Sequence, residues 1–209
     1  MTDEFHKPTQ YSGDKFDTFE GGEDPAVILR IAHDSAHALV DRARDTSDPA
    51  VVDRLVAYTD EHGVDALAEL WARSSPKSLP GALWRIYLIR VLIRQDPDAT
   101  SYLFQRGTEV LGTIDAAVAG APMPTGPAEI TALADQILRG LFRGDFAVAL
   151  DRAAAFSRVM SAGATSIADD ADVTTPQRGS ELTTRALRFT VMGEELTAAA
   201  RLHRSGSLE

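Results

Sequence analysis

The sequence contains no cysteine, which excludes disulfides, thiolate metal sites and cysteine nucleophiles. Its longest apolar stretch, at 88–94 (LIRVLIR), is broken by two arginines, so no segment is predicted to span a bilayer. The first ten residues, MTDEFHKPTQ, lack the basic and apolar regions of a secretory signal. No segment alternates apolar and polar residues with a period of two, so no strand is predicted. These absences favour a soluble, cytoplasmic protein with no membrane partner.

Catalytic and cofactor motifs are also missing. The sequence has no phosphate-binding loop, no dinucleotide fingerprint and no nucleophile elbow. Asp169, Asp170 and Asp172 lack the spacing and the glycine of an EF-hand loop. The net charge of −10 argues against nucleic acid as a partner, because nucleic-acid binders carry clustered positive charge. No cofactor is therefore predicted, and the sequence favours binding over catalysis without deciding whether the protein is an enzyme.

Acidic residues are unevenly distributed along the chain. None occurs between Glu69 and Asp96, a segment that holds both tryptophans and several bases: Trp71, Arg73, Lys77, Trp84, Arg85, Arg90 and Arg94. By contrast, residues 1–24 hold seven acids and two lysines, a net of −5 that is half of the chain's −10. Residues 1–23, the acidic arm, have no apolar period and are predicted to be disordered. The arm nevertheless carries four spaced aromatic residues: Phe5, Tyr11, Phe16 and Phe19.

The remaining sequence predicts an all-α fold, an irregular bundle of about seven or eight helices that forms a single domain over residues 24–206. An Asp that caps a helix precedes a Pro at its first position three times, at 24–25, 48–49 and 96–97. Mobile loops are predicted at about 112–126 and 161–179 because these segments are rich in small, polar or turn-forming residues. The predicted helices are about Pro25–Arg44, Pro49–Glu61, Asp65–Arg73, Leu79–Arg94, Pro97–Leu111, 127–143, Asp145–Met160 and Ser180–His203.

Two of these helices have informative faces. The apolar stripe of the first is predicted to run through Val27, Ile28, Ile31, Ser35, Ala38 and Leu39. The helix over 79–94 is apolar around about two-thirds of its circumference, which predicts a central position. On that helix Arg90 and Arg94 share the polar strip and are predicted to be exposed, whereas Arg85 lies on the apolar side.

Residues 141–156 (LFRGDFAVALDRAAAF) resemble the turn and second helix of a tetratricopeptide repeat. The resemblance covers half a repeat, and no second copy occurs 34 residues away in either direction. It implies a tight helical hairpin around Gly144.

Arg85 is the first candidate site residue. A guanidinium on an apolar face requires a carboxylate or phosphate partner, because an unpaired buried charge is very costly. One hypothesis is an anion-binding site formed by Arg85 with Trp84 and Tyr87; the alternative is an internal salt bridge.

A second candidate is a metal site on the first helix. His33, His37 and Asp41 lie at i, i+4 and i+8, which places them on one face. Arg30, Asp34 and Arg44 share that face, so a solvated face with paired charges is the alternative.

The leading functional hypothesis is a non-catalytic interaction module that self-associates, as a dimer, or binds another protein. Its arm would dock through the four aromatic residues and pair its acids with Arg90 and Arg94. The alternatives are a small-molecule binder or enzyme that uses Arg85, and a metal-binding bundle that uses His33 and His37. Eighteen arginines against three lysines are typical of a bacterium with a GC-rich genome.

Overall fold

The computed structural model of the chain describes residues 24–45, 70–143, 145–172 and 174–209, and its fold is an all-α bundle, as predicted. The acidic arm and the helix predicted at Pro49–Glu61 lie outside the described residues, and of the helix predicted at Asp65–Arg73 only the end is described, with 70–72 helical. The helices are α1 Pro25–Asp45, α2 Leu79–Gln95, α3 Pro97–Val110, α4 Asp115–Ala119, α5 Pro127–Arg143, α6 Phe146–Asp172 and α7 Pro176–Arg204.

The predicted Asp-Pro starts of α1 and α3 have the expected capping geometry. Asp24 accepts a hydrogen bond from the backbone N–H of Ala26 at 2.9 Å, and Asp96 accepts one from Ala99 at 2.9 Å. Ser78 caps α2 by accepting from the N–H of Gly81 at 3.3 Å. Each cap satisfies an amide that has no partner within its own helix.

Helix α2 lies at the centre of the bundle, in agreement with its wide apolar arc. It contacts α1, α3, α5, α6 and α7. Its most deeply buried side chains are Ile86, Ile89 and Ile93, each no more than 2% exposed. Because neighbours surround α2, Arg90 on its polar strip is buried too, whereas Arg94 is exposed.

Helices α6 and α7 form a long antiparallel hairpin that provides the most extensive packing in the described structure. Side-chain pairs run in opposite directions along it, from Ser161–Thr190 to Arg158–Thr197 and Asp151–Arg204. The mobile loop predicted at 161–179 is therefore wrong, since α6 continues to Asp172 and α7 begins at Pro176. None of the helices in the described ranges has the length and apolarity needed to cross a bilayer.

Small residues explain why α6 continues through this polar-looking segment. Gly163 packs directly on the backbone of α3, where a Cβ atom would lie only 1.9 Å from the carbonyl oxygen of Leu103. Ala164 and Ala168 on the same helix are buried as well. The composition that favours a loop in isolation is thus the composition that lets two helices approach closely, and tertiary packing overrides local propensity.

Helix α1 packs through a different face from the one predicted. Its buried residues are Ala32, Ala36 and Val40, whereas Ile31, placed in the predicted stripe, is 48% exposed. Ser35 accepts a hydrogen bond from the indole Nε1 of Trp71 at 3.1 Å, which fixes the rotation of the helix. The two alanines permit a closer approach to the bundle than isoleucine would.

Candidate functional site

Arg85 has an internal partner in the structure. Its Nε donates to the Glu195 carboxylate on α7 at 2.5 Å, and its Nη1 donates to the carbonyl of Gly81 at 2.8 Å. Trp84 and Tyr87 are partly buried and stack on each other with ring centroids 5.7 Å apart. Of the two hypotheses for Arg85, the geometry favours the internal salt bridge, because Glu195 already occupies the face that an external anion would need.

Arg90 is not on an exposed strip, as the sequence predicted; its side chain is only 4% exposed. Its Nε donates to Asp135 on α5 at 3.1 Å, and the same carboxylate lies 3.5 Å from Nη2 of Arg94. Helix α5 covers Arg90 and supplies one acid to both arginines, whereas the Arg94 side chain is 38% exposed, as predicted. Docking of the acidic arm on Arg90 is therefore not supported.

The candidate metal ligands keep the arrangement predicted for one helix face. His33 is partly buried, while His37 and Asp41 are exposed. Within the described ranges no group of three or more His, Asp or Glu side chains is close enough to hold a metal ion. The hypothesis thus lacks a third ligand among those residues. The arm residues Phe5, Tyr11, Phe16 and Phe19 lie outside the described residues.

A groove between α2 and α7, which we call the Arg185 groove, was not predicted. It has a volume of about 520 Å³. The apolar part of its lining comes mainly from the second half of α2 and the middle of α7: Leu88, Val91, Leu92, Phe189 and Met192. Arg185 and Arg188 add two positive charges to this lining, against one acid, Glu181.

Arg185 is the unusual group in this groove. Its guanidinium carbon lies 5.9 Å from the centroid of the Phe189 ring, at the outer limit of a cation–π contact. Among the described residues it makes neither a hydrogen bond nor an ion pair. Burial lowers the pKa of the Arg185 guanidinium below its usual value, and the charge of Asp96 opposes that shift only in part. Within the described part of the chain, Arg185 is thus a partly desolvated cation without a bonded acceptor.

A smaller groove of about 350 Å³ between α3, α6 and α7 adjoins the first one. Arg185 and Glu181 line both grooves, and Arg178 and Tyr102 line the smaller one. Arg178 lies seven residues before Arg185, so both fall on the same face of α7. The spacing of the two arginines is visible in the sequence. The sequence does not predict which face of α7 borders a groove, because charged and apolar residues occur all around the helix.

A third groove, of about 600 Å³, lies between α4, α6 and α7. Here the central charges are fully paired, since Asp115 Oδ1 accepts from Nε and Nη2 of Arg158 at 2.8 and 2.6 Å. Thr113 Oγ1 donates to the other oxygen at 2.6 Å, and Arg158 Nη1 donates to Thr197 at 3.3 Å. This network fastens the short helix α4 to the hairpin. It offers an incoming ligand less than the Arg185 groove does.

The Asp115 network predicts a pH-dependent contribution to stability. Burial raises the pKa of the Asp115 carboxyl, but the hydrogen bonds from Arg158 and Thr113 and the charge of Arg158 outweigh burial and lower it overall. A depressed folded-state pKa stabilises the protein above the unfolded-state pKa of about 3.9, and this contribution is lost as the pH falls through the folded-state value. We expect Arg158→Met to reduce the free energy of unfolding at neutral pH, with a smaller reduction in acid.

Urea unfolding of both proteins from neutral pH to about pH 3 measures this difference. The control is Arg201→Met, which removes an exposed arginine from the lining of the same groove without touching Asp115. A difference in the free energy of unfolding between wild type and Arg158→Met that stays constant across the pH range would contradict the expected pH dependence.

Comparison of the chain with protein-family models, curated proteins and solved structures gives no match.

Proposed function

We propose that this protein is a non-catalytic interaction module that binds an acidic, aromatic protein segment in the Arg185 groove. The observation that carries the proposal is Arg185 itself. Removing a guanidinium from water without a hydrogen-bonded partner is costly, so such a group is typically completed by an anion. A carboxylate matches the planar fork of a guanidinium with two parallel hydrogen bonds.

The rest of the groove specifies the apolar part of the ligand. Leu88, Val91 and Met192 give its floor the character that holds aromatic or aliphatic side chains. A volume of about 520 Å³ falls in the usual range of binding sites. Between Arg178 and Met192 the α7 axis spans about 21 Å, which matches a segment of several residues. A small organic anion would fill only part of this surface.

The lining of the groove favours binding over chemistry. Besides the arginines, its polar side chains are those of Gln95, Glu181 and Thr184. Nucleophilic catalysis requires a hydroxyl, thiol or amine beside a general base that a third group orients. Thr184 instead donates its hydroxyl to the backbone carbonyl of Ser180 at 2.9 Å.

Self-association in the cytoplasm, which the sequence predicts, belongs to the same proposal. The first 24 residues carry the acids and aromatic residues that the groove would recognise. A second copy is therefore one source of the ligand segment.

Arg185→Met is expected to weaken binding of an acidic peptide at least about tenfold, or about 1.4 kcal/mol. The probe is a labelled synthetic peptide of about 15 residues that contains Asp, Glu and two Phe, titrated onto the full chain by fluorescence anisotropy. Residues 1–24 share the chemistry of the probe and would compete with it for the groove. The titration is therefore repeated with a full chain that carries Phe16→Ser and Phe19→Ser.

Arg201→Met is the matched control, since it removes the same side chain from the same helix but from a different groove. It should leave the affinity unchanged, and a peptide with Lys in place of each acid should not bind. The proposal is wrong if the acidic probe binds neither the wild-type chain nor the chain with Phe16→Ser and Phe19→Ser. It is also wrong if Arg201→Met weakens binding as much as Arg185→Met does. Displacement by acetate or benzoate at equal concentration would favour a small organic anion instead.

A further inference from the structure

We infer that the segment bound in the Arg185 groove is residues 14–20 of this chain, with sequence DKFDTFE. This inference rests on the proposed function, because it names the partner of the same groove. Phe16 and Phe19 would contact the apolar lining, and Asp17 and Glu20 would supply carboxylates to Arg185 and Arg188.

The spacing within this segment suits a groove that is apolar on its floor and basic on its rim. In a helix formed on docking, Phe16 and Phe19 would share one face, Glu20 and Asp17 would border that face on one side, and Asp14 would lie on the opposite side of the helix. An amphipathic helix laid in a groove through i and i+3 anchors is a recurrent form of peptide recognition. The other aromatic pair of the arm, Phe5 and Tyr11, has Pro8 between its members, which breaks a continuous helical face.

Charge complementarity supports this choice of segment. Residues 1–24 carry a net of −5. The two adjoining grooves are lined by Arg178, Arg185 and Arg188 with Glu181 as the single acid of their described lining. They form a basic surface in a chain whose overall charge is −10. Such a surface attracts an acidic segment of this chain in preference to a basic or neutral one.

A short tether that contains two glycines joins the segment to α1. Gly21, Gly22 and Glu23 separate it from the capping residue Asp24. Two glycines in succession place few restrictions on the direction of the backbone. Five peptide units from Glu20 to Pro25 reach at most about 18 Å. A groove within that distance of Pro25 can be filled by the segment of the same molecule, and a groove farther away can be filled by the segment of a second copy.

Competition with the acidic probe tests the inference in the full chain. We expect Phe16→Ser with Phe19→Ser to tighten binding of the probe at least about tenfold relative to wild type, because a tethered competitor has an effective concentration in the millimolar range. Phe5→Ser with Tyr11→Ser is the matched control in the same arm and should leave the affinity unchanged. In the Phe16/Phe19 background, Arg185→Met should abolish the gain.

The possible results separate the two proposals. If the probe binds wild type and the Phe16/Phe19 variant equally while Arg185→Met still weakens binding, the arm is not the occupant and the proposed function stands. If the probe binds neither, both are overturned.

A second measurement does not depend on the probe. Benzoylphenylalanine in place of Phe16 in the full chain should crosslink on irradiation to peptides that contain Leu88–Leu92 or Phe189–Met192. A product within one chain identifies docking in the same molecule, and a product between two chains identifies a second copy; both support the inference. Crosslinks that map to other surfaces would overturn it.

Discussion

Gly163→Ala should destabilise the protein by about 2–4 kcal/mol, even though alanine is the better helix former. Gly163 lies on α6 at its crossing with α3, and a Cβ atom there would meet the Leu103 carbonyl oxygen at 1.9 Å. The obstacle is backbone, so a change of rotamer cannot relieve the contact. The two helices would have to separate by more than 1 Å at about this point, and the core around Phe104 and Phe156 would loosen.

Gly107 forms the other half of this crossing and should behave in the same way. A Cβ atom on Gly107 would lie 1.9 Å from the carbonyl oxygen of Val159 on α6. Because either methyl group forces the same separation, the double variant is expected to cost clearly less than the sum of the two single variants. Strict additivity would show that the two contacts are independent and would contradict a single crossing.

Gly193 provides the control, as a buried helical glycine with room for a methyl group. Its nearest neighbour to an added Cβ atom is the carbonyl oxygen of Ala154 at 3.4 Å, an ordinary van der Waals distance. Gly193→Ala should therefore stabilise the protein by up to about 1 kcal/mol through helix propensity. Urea unfolding followed by circular dichroism compares the three variants. Equal destabilisation by Gly163→Ala and Gly193→Ala would refute the steric explanation.

The contrast among these glycines shows why local patterns predict some of the fold but not its contacts. Asp24-Pro25 and Asp96-Pro97 predict helix starts correctly because capping depends on residues that are neighbours in the sequence. The segment 161–179 misled the prediction because a small residue such as Gly163 is explained by the backbone of α3, about 60 residues earlier in the chain. Small residues are compatible both with a loop and with a close contact between two helices. Which of the two forms depends on the element that packs against them.

The candidate site shows the same division. The sequence identified α2 as an apolar central helix, and its Leu88, Val91 and Leu92 do form one wall of the Arg185 groove. It could not identify Arg185, because the lack of a bonded partner among the described residues is a property of the assembled bundle. In the same way Arg85 and Arg90, which stand out in an acid-free stretch, find their acids on α7 and α5, at Glu195 and Asp135.

Asp135→Ala should reduce the free energy of unfolding by about 3 kcal/mol, because it takes away the carboxylate that compensates a buried cation. Arg90 is 4% exposed and donates to Asp135 at 3.1 Å. The Asp135 carboxylate also lies 3.5 Å from Arg94, so one side chain on α5 fixes two on α2. Asp151→Ala is the control: its partner Arg204 is 49% exposed, and loss of such a surface pair should destabilise the protein much less than Asp135→Ala does.

Arg90→Met separates the cost of reducing the compensation of a buried charge from the value of the Arg90–Asp135 pair. Methionine fills part of the same space without a charge, so this variant is expected to cost less than Asp135→Ala. In the Arg90→Met background the further change Asp135→Ala should cost at least about 1.5 kcal/mol less than it does alone. Urea unfolding of the four proteins at neutral pH gives this coupling. A coupling near zero would mean that Asp135 stabilises the bundle independently of Arg90, and α5 would then be held on α2 by its apolar face, which includes the buried Ile130 and Ile137.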